Sequence, residues 1–157
     1  MALEPIREVV SDNAKERAMA NFLQDFMKWE LFPTPKFYFT DFHILQLFDH
    51  GRKNYIGDLE IKWLNISSDY PAIFPFNKLQ QMMIAPPYTD SPTSYHRVCF
   101  RFTDGILMLP IAELSRLQPE VHTRKDTNET DLVVRVKVSN YQKYFKAIVI
   151  NADTEFQ

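Results

Sequence analysis

The amino-acid sequence predicts one α+β domain, a mixed β-sheet flanked by helices, and three observations carry that reading. Met19, Phe22, Leu23, Phe26 and Met27 recur at helical spacing. Two strand-like runs, "KFYFTDFHILQLFD" and "YIGDLEIKWLN", flank the turn sequence "HGRKN" and read as a β-hairpin. A second helical stretch, "FNKLQQMM", is then followed by another strand pair. At 157 residues and 45% hydrophobic, the chain is long and apolar enough to bury the core of one such domain.

Taken in order, Ser11, Asp12 and Asn13 offer caps for the first helix, and Pro33 and Pro35 are expected to end it. The hairpin follows, with a bend expected near Thr40. "ISSDYPAIFPF" reads as an irregular, proline-punctuated connection. In "FNKLQQMM", Phe76, Leu79, Met82 and Met83 share one side, and Pro86 and Pro87 stop the helix. The loop through "YTDSPTS" is polar. "HRVCFRF" alternates Val98, Phe100 and Phe102 against Arg97, Cys99 and Arg101; "TDG" turns it into "ILMLP". "IAELSRL" is one or two helical turns and "QPEVHTRKDTNET" a polar loop. "DLVVRVKV" is a further strand, and "SNYQKYFKAIVI" a short helix or last strand. No internal repeat or interdomain linker is visible, so residues 1–157 are expected to form a single domain.

Three glycines leave no room for a phosphate loop or a dinucleotide fingerprint. The single cysteine, Cys99, excludes an internal disulfide framework and a Cys-rich zinc site, and suits a reducing, cytoplasmic setting. Cys99 itself reads as a small apolar strand residue. No apolar run approaches the ~20 residues that span a bilayer, and "MALEPIREVVSDNAKER" lacks the apolar core of a secretory signal. The net charge of −2 gives no global sign of a nucleic-acid partner, although a local patch is what a phosphate backbone responds to.

The second hairpin strand raises the functional question. In a strand, alternate side chains share a face, so Asp58, Glu60 and Lys62 lie opposite Leu59, Ile61 and Trp63. Pairing about "HGRKN" sets Asp41 of the first strand close to Glu60 and Lys62. Two carboxylates on neighbouring strands can share one hard divalent cation, which takes oxygen ligands and keeps waters. A lysine two residues on, roughly 6.5–7 Å along the strand, can orient a metal-bound water or neutralise developing charge. Such a set suits phosphodiester hydrolysis. Without a metal, Glu60 and Lys62 would be a solvated pair of little energetic weight. Asp58 shares the face of Glu60 and is either a ligand or a solvated residue. Asp49 is a reserve ligand near the turn. His43 has the parity of Asp41 and could reach the site, and Trp63 reads as core. Glu16 lies beside the buried stripe of the first helix and reads as a first-turn acid favoured by the helix dipole.

Asp41, an eighteen-residue gap, then Glu60-Ile61-Lys62 resembles the PD-(D/E)XK nuclease superfamily, which includes restriction endonucleases and archaeal-type Holliday junction resolvases. The resemblance covers about residues 13–110, with 111–157 as a C-terminal αβ extension. It implies a restriction-endonuclease-like core in the order αβββαβ. It implies that Asp41, Glu60 and the carbonyl of Ile61 hold Mg²⁺ or Mn²⁺ and that Lys62 is the catalytic lysine. Glu16 of "NAKERAMANFL" falls where the family's first helix often donates a further glutamate. Gln81, or Gln80, falls where a polar helix residue often lines the site. Thr40 stands where the signature has proline.

The function so implied is a metal-dependent endonuclease, with DNA expected over RNA on family frequency, a branched substrate among the options, and a homodimer where two strands must be cut. Arg52 and Lys53 at the hairpin turn, with Arg97 and Arg101 on one strand face, are the cations expected to meet phosphates. The alternatives are a non-catalytic module of the same fold that binds nucleic acid or protein, or a small viral or mobile-element accessory protein.

Overall fold

The first helix, α1 (Leu3–Met27), is 25 residues long in the computed structural model, which describes residues 3–35, 40–85 and 95–152. It begins well before the capping candidates at 11–13: Ser, Asp and Asn favour caps but do not break a helix, and Pro5 in the first turn needs no amide partner. Its end also differs from the expected one. Lys28 takes a left-handed conformation (φ 56°) and turns the chain into β1 (Trp29–Pro33), so "WELFP" is a strand with Trp29 and Leu31 buried. The alternation of Trp29 and Leu31 against Glu30 and Phe32 is short enough to pass for the end of the helical stripe.

The hairpin forms as expected from β2 (Phe42–Leu47) and β3 (Lys53–Trp63), antiparallel around a single 3-10 turn at Asp49–Gly51. The strand expected over 36–39 lies outside the described residues. Phe42 pairs with Leu59 and His43 with Asp58, which sets Asp41 beside Glu60. A bulge inserts Ile56 between the pairs Ile44–Gly57 and Leu45–Tyr55. Gly57 (φ +126°) makes it possible, because a Cβ there would meet the Tyr95 carbonyl oxygen at 2.0 Å.

The stretch expected to be irregular contains β4 (Ala72–Pro75), which leads into α2 (Phe76–Ile84). After residues 86–94, which hold the expected polar loop and lie outside the described residues, come β5 (Arg97–Phe102) and β6 (Gly105–Pro110), a hairpin, then one turn of helix α3 (Ile111–Leu114). Within the expected loop lies β7 (Glu120–Thr123), which pairs with β8 (Thr130–Val136). Two 3-10 turns and the short β9 (Phe145–Ala147) follow.

The main sheet has the order β1-β2-β3-β5-β6-β9, mixed because β5 runs parallel to β3 while the other neighbours are antiparallel. A second sheet has the order β4-β8-β7. The C-terminal third is thus built into both sheets. One face of the main sheet packs under α1, where Met19 and Leu23 meet Leu59, Ile61 and Cys99. The other face packs under α2 and the second sheet, where Leu79, Phe74 and Val134 meet Val98, Phe100 and Leu107. Strand β5 is therefore buried on both faces. Among the described residues, no helix is long and apolar enough to cross a membrane.

A candidate site of paired carboxylates

Asp41, just before β2, and Glu60 of β3 are brought together, and each is anchored by the backbone or by α2. Asp41 Oδ2 accepts the Ile61 amide at 2.7 Å. Glu60 is 7% exposed, and its Oε2 stands 3.2 Å from Lys78 Nζ. Its Oε1 is buried with no hydrogen-bond donor among the described residues. Asp41 and Glu60 are close enough for one carboxyl to hydrogen-bond the other, and Glu16 stands in the same relation to Asp41.

Burial is the first cause of the electrostatics here. It raises the Asp41 carboxyl above the ordinary carboxylate range, against the opposing pull of the Ile61 amide. Glu60 is pushed up to about 8, first by burial and then by the negative charge of Asp41, with Lys78 pulling the other way. Two carboxylates held this close out of water repel when both are ionised. A proton or a cation between them relieves that repulsion.

As the side chains stand, no set of three or more His, Cys, Asp or Glu is placed to hold a metal ion among the described residues. The chemistry of the Asp41–Glu60 pair still fits a hard cation. The two carboxylates are adjacent, Glu60 Oε1 lacks a donor, and a cation that keeps several waters needs only one or two protein carboxylates.

Lys62 is half-buried and shares the face of Glu60, as its spacing requires. It lines a small pocket of about 190 Å³ with Lys15, Glu16 and Trp63. It also lines a larger groove of about 670 Å³ between α2 and the second sheet, with Asn77, Gln80, His122 and Arg124. No ion pair holds Lys62 among the described residues; the lysine that reaches Glu60 is Lys78. Of the two glutamines, Gln80 faces that groove, whereas Gln81 is exposed and outside its lining. Ile61 contributes its amide to Asp41, and its side chain belongs to the α1 core.

Asp58 is neither solvated nor open to a ligand. It is 1% exposed, and its Oδ1 accepts from Tyr55 at 2.8 Å and lies 2.7 Å from His43 Nδ1. Thr40 donates to Oδ2 at 3.2 Å, and the Asp58 amide donates to His96 Nδ1 at 3.1 Å. His43 is thereby tied to Asp58 beside the site. Asp49 is exposed in the hairpin turn, far from Asp41.

The expected phosphate-binding cations are placed differently. Arg97 and Arg101 lie on the α1 face of β5, and both are buried. Arg97 donates to the Ile56 and Tyr95 carbonyls, and Arg101 to those of Leu64 and Ile150. Trp63 lies under Arg101, with the guanidinium carbon 4.0 Å from its ring centre. An alternating strand looked half-exposed in sequence, but coverage of both faces of β5 turns these arginines inward. Arg52 and Lys53 are exposed, with Lys53 paired to Glu30 at 2.6 Å. They sit about 23 Å along the strand from Glu60.

Lys78 is the site residue that sequence reasoning missed. The signal was present: Lys78 stands four residues before Met82 and next to Leu79, at the flank of the buried stripe of α2. No family model, no curated protein and no solved structure matches this chain.

Proposed function

We propose that the protein is a metal-dependent endonuclease that hydrolyses nucleic-acid phosphodiester bonds, with DNA ahead of RNA. One observation carries the reading: the half-buried Asp41 beside the buried Glu60, which has an oxygen lacking a donor among the described residues and lies two residues before Lys62 on the same strand face. The chain order supports it as well. Helix α1, the antiparallel strands β1-β2-β3, and α2 followed by β5 parallel to β3 favour a PD-(D/E)XK-like core, with β4 as an added strand between β3 and α2.

In this reading Asp41 and Glu60 hold Mg²⁺ or Mn²⁺, with Glu16 as a further carboxylate next to Asp41. The bound ion would supply positive charge and an activated water. Lys62, which lines the groove, would bring its ammonium to a phosphate oxygen as negative charge builds on it. The Ile61 amide fixes one oxygen of Asp41 and so the direction of the other. Water adds to phosphorus as the bond from phosphorus to the leaving oxygen breaks, and that oxygen leaves with a proton. Gln80, on the groove wall, would hydrogen-bond the substrate.

A non-catalytic binding module is the competing reading, and Lys78 favours it, since it already supplies Glu60 with a cation. Cleavage assays separate the two. Single-stranded, duplex and four-way-junction DNA and RNA are incubated with Mg²⁺, Mn²⁺ or EDTA, using wild type, Glu60→Ala and Lys62→Ala. Metal-dependent cutting that disappears in both variants supports the nuclease. Absence of cutting by the wild type, or cutting indifferent to both substitutions, overturns it.

A further inference from the structure

On the other face of the main sheet, away from the carboxylate pair, Arg97 is buried without a counter-ion. It is 7% exposed, and no carboxylate pairs with it among the described residues. Its guanidinium carbon sits 3.8 Å from the Tyr95 ring centre and 5.4 Å from that of Trp29. Nη1 makes both of its hydrogen bonds, to the Ile56 carbonyl at 3.1 Å and the Tyr95 carbonyl at 3.0 Å. The Nε–Nη2 edge makes no hydrogen bond to a carbonyl or carboxylate among the described residues, the Tyr95 phenol being the polar side chain beside the guanidinium, and that edge is the fork whose spacing matches the two oxygens of a carboxylate.

Arg97 lines a cavity of about 370 Å³, within the size range of small-molecule sites. Trp29, Tyr95, Met108 and Tyr144 give it apolar and aromatic walls, and Arg97 and Lys146 are its charged lining residues. No Asp or Glu lines it among the described residues. Lys146 is exposed at the rim, with its ammonium 5.7 Å from the Phe26 ring centre. Burying a guanidinium without an acid is unfavourable, and desolvation by burial correspondingly lowers its pKa. An aromatic cradle and two carbonyls relieve this in part. An anion entering the cavity would complete the pairing.

We propose that this cavity binds a small organic carboxylate with an apolar body, the carboxylate on the Nε–Nη2 edge of Arg97 and the body against Trp29, Tyr144 and Met108. The site is independent of the carboxylate pair, because register places Arg97 and Met108 on the α1 face, opposite Glu60 and Lys62. Walls that are mostly apolar favour a carboxylic acid with a ring or short chain over inorganic phosphate. Lys146 adds attraction at the entrance.

The test uses the whole chain with benzoate, phenylacetate and octanoate as probes, benzyl alcohol and octanol as neutral matches, and acetate and inorganic phosphate as anions without an apolar body. Affinity is read by calorimetry, and the Arg97 Nε–H signal is followed by NMR. Because Arg97 also ties Ile56 and Tyr95 in place, its own substitution risks the fold. The variants are therefore Lys146→Glu at the exposed rim and Met108→Trp, which fills the cavity from a half-buried position. At least one of the three carboxylate probes should bind saturably, shift the Arg97 Nε–H signal, and bind roughly tenfold or more tightly than its neutral match. Lys146→Glu should weaken it severalfold, and Met108→Trp should abolish it. No saturable binding by any carboxylate probe, equal binding of the alcohols, preference for phosphate or acetate, or full affinity in Met108→Trp would overturn the site.

Discussion

Lys78 Nζ stands 3.2 Å from Oε2 of Glu60, and among the described residues it is the cation that pairs with the two carboxylates. The contact joins α2 to β3 across the second core and makes the charge balance of the site depend on one lysine.

Lys78→Met should therefore destabilise the protein by about 1–3 kcal/mol above pH 8, since it leaves Glu60 buried without a cation. The effect should shrink at pH 5, where Glu60 carries a proton. Chemical denaturation at the two pH values measures the difference.

Glu60→Gln should do the reverse. The folded-state pKa of Glu60 is raised to about 8, so the folded chain holds a proton that the unfolded chain has already lost. Its contribution to stability is fully present below the ordinary carboxylate range and is lost as pH rises through about 8. The glutamine variant should match wild type near pH 4 and exceed it by about 1–3 kcal/mol near pH 8.5. A constant difference across that window would contradict the burial of an ionisable pair.

Asp58→Asn should leave any divalent-cation affinity within about twofold of wild type. It should cost about 2–4 kcal/mol of stability, because His43, Tyr55, Thr40 and the Asp58 backbone converge in one buried network. Denaturation and Mn²⁺ titration of the same variant separate a structural carboxylate from a ligand.

Gly57→Ala should destabilise by about 2–4 kcal/mol. The new methyl would meet the Tyr95 carbonyl at 2.0 Å on a backbone with positive φ, and the chain must move to admit it. The bulge and the strand leading to Asp58 are the parts expected to shift, visible as local loss of amide protection.

Much of this was legible in the sequence because it depends on local periodicity. The α1 stripe, the β2–β3 hairpin, α2 and the β5–β6 hairpin follow from spacing alone, and pairing about "HGRKN" sufficed to set Asp41 beside Glu60. What was missed depends on contacts distant in sequence. Strands β4 and β7 are paired by β8, far from β4 in sequence, and "WELFP" is a strand because β2 pairs with it. Arg97 and Arg101 alternate like surface residues, yet α1 covers one face of β5 and α2 with the second sheet the other. Asp58 shares a strand face with Glu60 but ends in a closed network, because His43 lies directly opposite it and His96 on the neighbouring strand's approach. Lys78 was legible only as a cation flanking an apolar stripe.

The most direct test of the paired carboxylates as a cation site is Mn²⁺ calorimetry at pH 7, run in two buffers of different ionisation enthalpy, on wild type and Glu60→Gln. Wild type should bind roughly one Mn²⁺ per chain and release close to one proton, since Glu60 must give up the proton that burial holds on it. Glu60→Gln should lose both the binding and the proton release. Absence of binding in the wild type, or binding with no proton released and unchanged in Glu60→Gln, would contradict the site.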